Sequence, residues 1–310
     1  MNPDTNALGL WPQLIMHEIA PTAAHLHRLA QIGGKHTLFA PHEPNWGNIT
    51  LRLGARGFAT PVLFAGGIAY EIRYEILDDR VDVRSSNGTV SVPLGPGSVA
   101  SFYEAFCRAT GALALPRLRS TLATEIPGAP AYDDDREARP YDPLAARRIW
   151  AAFGGASRAL ERRQSSFAGQ RPPVGIMWGA FDLAATRFRG LPATAVSERP
   201  VFLRNGMTQE EIAVGFSIGD DASAPGFYAY AIPALPAFAT ADLGPGATWN
   251  AEAGLATLPW EFVRTSPDPE AAVVAFGDAV YAIAAAAGWP PQARDRCDGW
   301  YASRHLVTER

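Results

Sequence analysis

Two stretches of this chain can be laid on one another, and that constrains its fold more than any other feature. Ile32-Gly33-Gly34-Lys35 leads to Trp46-Gly47-Asn48 and then to Arg56-Gly57-Phe58-Ala59-Thr60. Phe167-Ala168-Gly169-Gln170 leads likewise to Trp178-Gly179-Ala180 and then to Arg189-Gly190-Leu191-Pro192-Ala193-Thr194. Further on, Val90 to Leu94 with a helix at Phe102 corresponds to Leu255 to Val263 with a helix at Ala271. The order helix, Trp-Gly strand, hairpins, closing helix thus occurs twice. It predicts an α+β protein of two pseudo-repeated units, each a helix, an antiparallel sheet and a closing helix, with a cleft between them. Two unrelated α+β halves are the alternative. A chain of 310 residues suits two such units, because single cores stop growing at about 250–300 residues.

Local patterns fill in the units. Residues 21–32 carry Ala24, Leu26, Leu29, Ala30 and Ile32 at helical spacing, and Gly33-Gly34 reads as a glycine terminator. Strands are expected at 48–53, 57–64 and 69–77, then at 81–84 and 89–92 around Asn87-Gly88, a pair that favours a type I′ hairpin. A helix follows over 96–110. The Pro-rich stretch 127–143, with Tyr132-Asp133-Asp134-Asp135, reads as a solvated acidic connector. The second half predicts a helix over 142–167, strands at 174–177, 181–188, 211–218 and 227–232, a looser segment ending in 255–263, and a helix over 269–287. The units are therefore bounded at 1–126 and 144–288, around the connector 127–143, with an irregular tail at 289–310.

Composition excludes several classes. A net charge of −4 gives no basic face for nucleic acid. The two cysteines, Cys107 and Cys297, rule out a disulfide framework or a four-cysteine metal site. No basic region followed by an apolar core opens the chain, and the longest apolar run, 279–287, is short of the ~20 residues that span a bilayer. A cytoplasmic protein without membrane contact is expected. Lys35 is the only lysine, but Gly33-Gly34-Lys35 lacks the phosphate-loop pattern and follows a helix instead of opening one.

The run Trp178-Gly179-Ala180-Phe181-Asp182-Leu183-Ala184-Ala185-Thr186-Arg187-Phe188 resembles an uncharacterised bacterial family, a domain of unknown function. Glu125-Ile126-Pro127, Tyr132-Asp133-Asp134-Asp135-Arg136-Glu137, Tyr141-Asp142-Pro143 and Phe227-Tyr228-Ala229-Tyr230-Ala231 continue the likeness. It covers about residues 26–287 and implies no reaction. It also implies histidines in typical members where this chain has Asn45, Asn48, Gly175, Gln209 and Val214. A histidine cluster would suit zinc, copper or iron. Asparagine and glutamine ligate such metals poorly, and glycine and valine side chains not at all, so the expectation here is a site without metal and no cofactor.

The candidate chemistry rests on a few residues. Read as strands, Trp46, Asn48, Thr50 and Arg52 share one face, as do Trp178, Ala180 and Asp182. Asp182, a lone carboxylate between Phe181 and Leu183, is the candidate acid or base, since burial would raise its pKa. Arg187 could instead be its ion-pair partner. Asn48, Arg52 and Tyr228 are the candidate polarising donors. Trp46 and Trp178 are walls, with Thr50, Asn45, His42, Tyr230 and Glu210 as further binding residues. Core packing is the competing reading for both tryptophans and for Tyr228 and Tyr230.

Together these predict a metal-independent enzyme of specialised metabolism, acting by acid–base chemistry on a small molecule: a cyclisation, isomerisation or hydrolysis. One alternative is a non-catalytic small-molecule-binding or interaction protein. Another is a metal enzyme with a rearranged set at His42, Glu43 and Glu210. A small-molecule ligand is the expected partner, with a homodimer left open.

Overall fold

The computed structural model describes residues 9–194, 201–220 and 222–290. The tail reading beyond Pro290, with Cys297 and His305, lies outside them. The first half comprises α1 (Met16–Gly34), β1 (Thr50–Gly54), β2 (Gly57–Ala59), β3 (Leu63–Ala65), β4 (Ile68–Glu75), β5 (Arg80–Ser85), β6 (Gly88–Pro93) and α2 (Val99–Ala112). The second comprises α3 (Pro143–Ser165), β7 (Gly175–Met177), β8 (Asp182–Pro192), α4 (Val201–Gly206), β9 (Gln209–Ser217), β10 (Gly226–Ile232), β11 (Thr248–Asn250), β12 (Leu255–Pro259), α5 (Trp260–Arg264) and α6 (Pro269–Ala286). Helix starts follow capping chemistry: the side chains of Ser98, Asp142 and Asp268 accept from the first-turn amides of Ser101, Leu144 and Ala271.

The strands among the described residues join one antiparallel sheet in the order β11-β12-β10-β9-β8-β7-β1-β2-β4-β5-β6, with β3 added to β4. The halves meet where β1 pairs with β7, through Thr50↔Met177 and Leu51↔Ile176. The two-residue period of strands then sorts the faces. Leu51, Ile176, Leu183, Phe216, Phe227 and Leu258 form one buried row across six strands. That row faces the helices: Phe153 of α3 meets Phe216 edge-on with centroids 5.8 Å apart. The next row, Thr50, Met177, Asp182 and Ser217, points the other way.

Several expectations need correction. Gly33 and Gly34 do not end α1 in a left-handed turn; Gly34 stays helical at φ −57°. Their need for glycine is close packing. A Cβ on Gly33 would stand 2.5 Å from Tyr74 Oη, and one on Gly34 2.4 Å from Trp178 Cγ. The strand expected from Asn48 begins at Thr50, after a tight 3-10 segment, Pro44–Ile49. The strand expected over 57–64 breaks between β2 and β3 at Pro61, which has no N–H for the ladder. Ser85 pairs with Gly88, so the β5–β6 loop is Ser86-Asn87; neither has positive φ, and the turn is not type I′. Residues 255–263 divide into β12 and α5.

The acidic connector is not a solvated linker throughout. Tyr132 and Asp135 are buried, and Asp135 pairs with Arg139 at 2.8 Å and Arg28 at 3.8 Å. Its carbonyl accepts from Ala100 N–H, while Asp133 and Asp134 stay exposed. By length and mean hydropathy, 1.3 over 18 residues, α6 could cross a membrane. Here Val273, Phe276, Val280, Tyr281 and Ala284 are buried, and Arg163 of α3 donates to Gly277 O at 3.3 Å.

Candidate functional site

On the sheet face away from the helices, β8, β9 and β10 bring Asp182, Gly215 and Tyr228 into line. Asp182 pairs with Ser217, and Gly215 pairs with both Ala184 and Tyr228. The Tyr228 ring lies across β9 above Gly215, where a Cβ would stand 2.2 Å from its Cζ. Its hydroxyl donates to Asp182 Oδ2 and lies 3.2 Å from Leu183 O. Tyr230 stacks beside it, centroids 6.4 Å apart and planes 7° from parallel. The Tyr230 hydroxyl donates to buried Glu211 at 3.3 Å.

Asp182, Ser217, Tyr228 and Tyr230 line a cavity of about 540 Å³. Asn45 and Trp46 enter it from the turn before β1, Trp178 from the β7–β8 turn, and Glu125 from the segment after α2 that leads into the connector. Among the described residues six non-glycines have positive φ; Asn45, Trp46 and Glu125 line this cavity, and Phe181 immediately precedes Asp182. Such backbone costs of order 1–3 kcal/mol per residue and clusters at functional sites.

Burial pushes the Asp182 carboxyl up to about 7, against the pull of the Tyr228 hydrogen bond and with a further push from Glu125. Burial first, then the carboxylate beside each, drives Tyr228 and Tyr230 well above their ordinary value. The tyrosines are therefore donors near neutrality, while Asp182 can give or take a proton. A carboxyl poised near the operating pH is what general acid–base catalysis needs.

Of the sequence-expected residues, Asp182, Tyr228, Tyr230, Asn45, Trp46 and Trp178 meet at this cavity. Asn48, Thr50, Arg52, His42 and Glu210 do not line it. Asn48 Oδ1 accepts from Glu43 N–H at 3.1 Å, and Thr50 Oγ1 donates to Gly47 O at 3.1 Å. The reason is the turn at 44–49: Asn45 and Trp46 have φ of 50° and 54°, so the two-residue alternation does not reach back past Thr50. Arg52 stands on β1 beyond the cavity, its pKa pulled down by burial and raised by Glu43. His42 is exposed, edge-on to Trp46 at 4.7 Å. Glu210 pairs with Arg189 at 2.7 Å. Arg187 is no partner for Asp182; it donates to Gln164 Oε1 at 2.9 Å and to Arg163 O.

The two tryptophans are unlike. Trp178 is buried, packs on Gly34 and donates from Nε1 to Thr37 Oγ1 at 3.1 Å. Trp46 is half-buried and lies over Gly206. Sequence reasoning gave no role to Glu125, although Glu125-Ile126-Pro127 stood out as a motif, nor to Met207, which no pattern marks. Among the described residues no three of His, Cys, Asp or Glu are grouped to hold an ion. Nor do the five positions at which the resemblance implies histidines converge: Val214 pairs with Ala185 in the row alternate to Gly215 and faces the helices, whereas Asn45 lines the cavity.

One family matches the chain over residues 11–296. The chain belongs to DUF5996, a family of unknown function. No curated protein and no solved structure matches it. The DUF5996 match takes in both halves and the connector, and with them every residue lining the cavity.

Proposed function

We propose that this DUF5996 member is an enzyme that moves a proton on a small organic molecule held in the 540 Å³ cavity. Asp182 is the acid or base, and Tyr228 holds the carboxyl in place and polarises it. The supporting observation is the Tyr228–Asp182 hydrogen bond on the cavity floor, with the carboxyl pushed up to about 7 by burial. A cyclisation, isomerisation or hydrolysis fits one such carboxyl among aromatic walls and an amide donor, Asn45. The chemistry is read as independent of metal, since the polar groups lining the cavity are carboxyl, amide and hydroxyl.

We also infer that the two halves arose from one unit by duplication. Outward from the β1–β7 pair the strands run β1-β2-β4-β5-β6 on one side and β7-β8-β9-β10-β12-β11 on the other. A helix precedes each set, α1 and α3, and a helix closes each, α2 and α6. The cleft is then unequal: the second half supplies the floor, and the first contributes the turn at 44–49 together with Leu38, Thr124 and Glu125.

Incubating the protein and Asp182→Asn with a bacterial metabolite extract, followed by mass spectrometry, tests the reaction. The expected result is a compound consumed by the native protein and left intact by the variant. Equal consumption by both would remove Asp182 from the mechanism.

A further inference from the structure

We propose that the molecule taken up by this cavity is an organic cation, an amine or quaternary ammonium compound, seated between the Asp182 and Glu125 carboxyls and the rings of Trp46, Trp178, Tyr228 and Tyr230. The inference rests on reading the cavity as a small-molecule site and adds its substrate class.

Charge carries the argument first. Among the described residues that line the cavity there is no lysine, arginine or histidine; its only ionisable acids are Asp182 and Glu125, beside the two tyrosines. An anion entering it would meet like charge at Asp182 and Glu125 and find no cation to replace its hydration, a cost of several kcal/mol. A cation meets two carboxyls and four aromatic rings. Ring quadrupoles attract cations by about 0.5–2 kcal/mol per contact, more as water is excluded.

The surroundings agree. His42 and Lys35 lie beside Trp46 and Trp178 without lining the cavity, and His27 and Arg28 line a neighbouring one of about 480 Å³ that shares Glu125, Ala180 and Ser217 with the first. There His27 Nε2 lies 2.6 Å from Gly179 O and Arg28 faces Asp135 at 3.8 Å, so both already have partners. Lys35 Nζ, which donates to Leu122 O at 2.6 Å, lies 6.0 Å from the Trp178 ring centroid and 5.4 Å from that of Tyr132. Asn45, which donates to Thr186 Oγ1 at 2.7 Å, brings no charge.

The test is calorimetric titration of the purified protein at pH 8 with three probes of matched shape: choline, its neutral analogue 3,3-dimethylbutan-1-ol, and the anion 3,3-dimethylbutanoate. Choline should bind about tenfold more tightly than the alcohol, with the carboxylate weakest. Asp182→Asn should erase most of that preference and leave the alcohol's affinity unchanged. Glu125→Gln, an exposed position that does not carry the fold, should reduce it by a smaller factor. Equal affinity for choline and the alcohol, tighter binding of the carboxylate, or no choline binding at millimolar concentration would overturn the proposal. These readouts involve no turnover, so the catalytic reading of Asp182 stands or falls separately, on the metabolite experiment.

Discussion

Tyr228 on β10 donates its hydroxyl proton to Asp182 on β8, reaching over β9 at Gly215. Neither residue could meet the other directly, because a whole strand separates them in the sheet. The contact exists because the intervening residue has no side chain and a tyrosine is long enough to cross it. What lies on the cavity floor is therefore a three-strand unit, with glycine as much a part of it as the acid and the phenol.

Gly215→Ala should consequently act like a site mutation. The added methyl would stand 2.2 Å from Tyr228 Cζ and 2.4 Å from Leu183 O, and the ring must swing away. A loss of about 1–3 kcal/mol is expected for overpacking a filled position, measured by chemical unfolding. Activity should fall as far as in Tyr228→Phe. A variant of native activity would show that the ring's position over β9 is immaterial.

Tyr228→Phe removes a hydrogen bond that pulls the Asp182 pKa down and leaves the burial that pushes it up. The carboxyl should then titrate higher, by on the order of one pH unit for a hydrogen bond to a charged group. The pH profile of turnover should move to the alkaline side by that amount. A profile that keeps its midpoint while losing height would mean that Tyr228 acts on the substrate and not on Asp182.

Stability should carry the same signature. Asp182 titrates at about 7 folded, against its ordinary 3.8. Between those values the folded state keeps a proton that the unfolded state has lost, so this group's contribution to stability falls as pH rises from about 4 to 7 and is constant above. Asp182→Asn has no such proton. Its melting temperature relative to the native protein should be higher at pH 8 than at pH 5, by roughly 2 °C for each kcal/mol. His36, held near 4 by burial, contributes the opposite slope but is present in both proteins and cancels in the comparison. An equal difference at both pH values would mean that Asp182 is not perturbed.

Much of this was legible in the residues. Phe227-Tyr228-Ala229-Tyr230-Ala231 alternates on a two-residue period and lies as β10 with both tyrosines on one face. Asp142-Pro143 and Asp268-Pro269 announce their helices through a capping carboxylate and a proline at the first helical position. The apolar neighbours Phe181 and Leu183 mark Asp182 as a candidate. The failures have a common cause. A β1 extended backwards would carry Trp46 and Asn48 on one face, but two successive residues at positive φ, Asn45 and Trp46, break that register, and no side-chain pattern signals them. Gly33-Gly34 matched a helix terminator by composition, whereas Tyr74 and Trp178, remote in sequence, are what require glycine there. Asp135 looked solvated among its acidic neighbours because Arg28 and Arg139 reach it only in the folded chain.

The most direct test of the central claim is an infrared titration of the native protein, with Asp182→Asn subtracted. A protonated carboxyl band absent from the variant should persist to neutral pH and fade with a midpoint near 7, where burial and Tyr228 place it. If the difference spectrum shows Asp182 already ionised at pH 5, as a solvated carboxylate would be, the residue is no neutral-pH acid or base and the proposed chemistry is wrong.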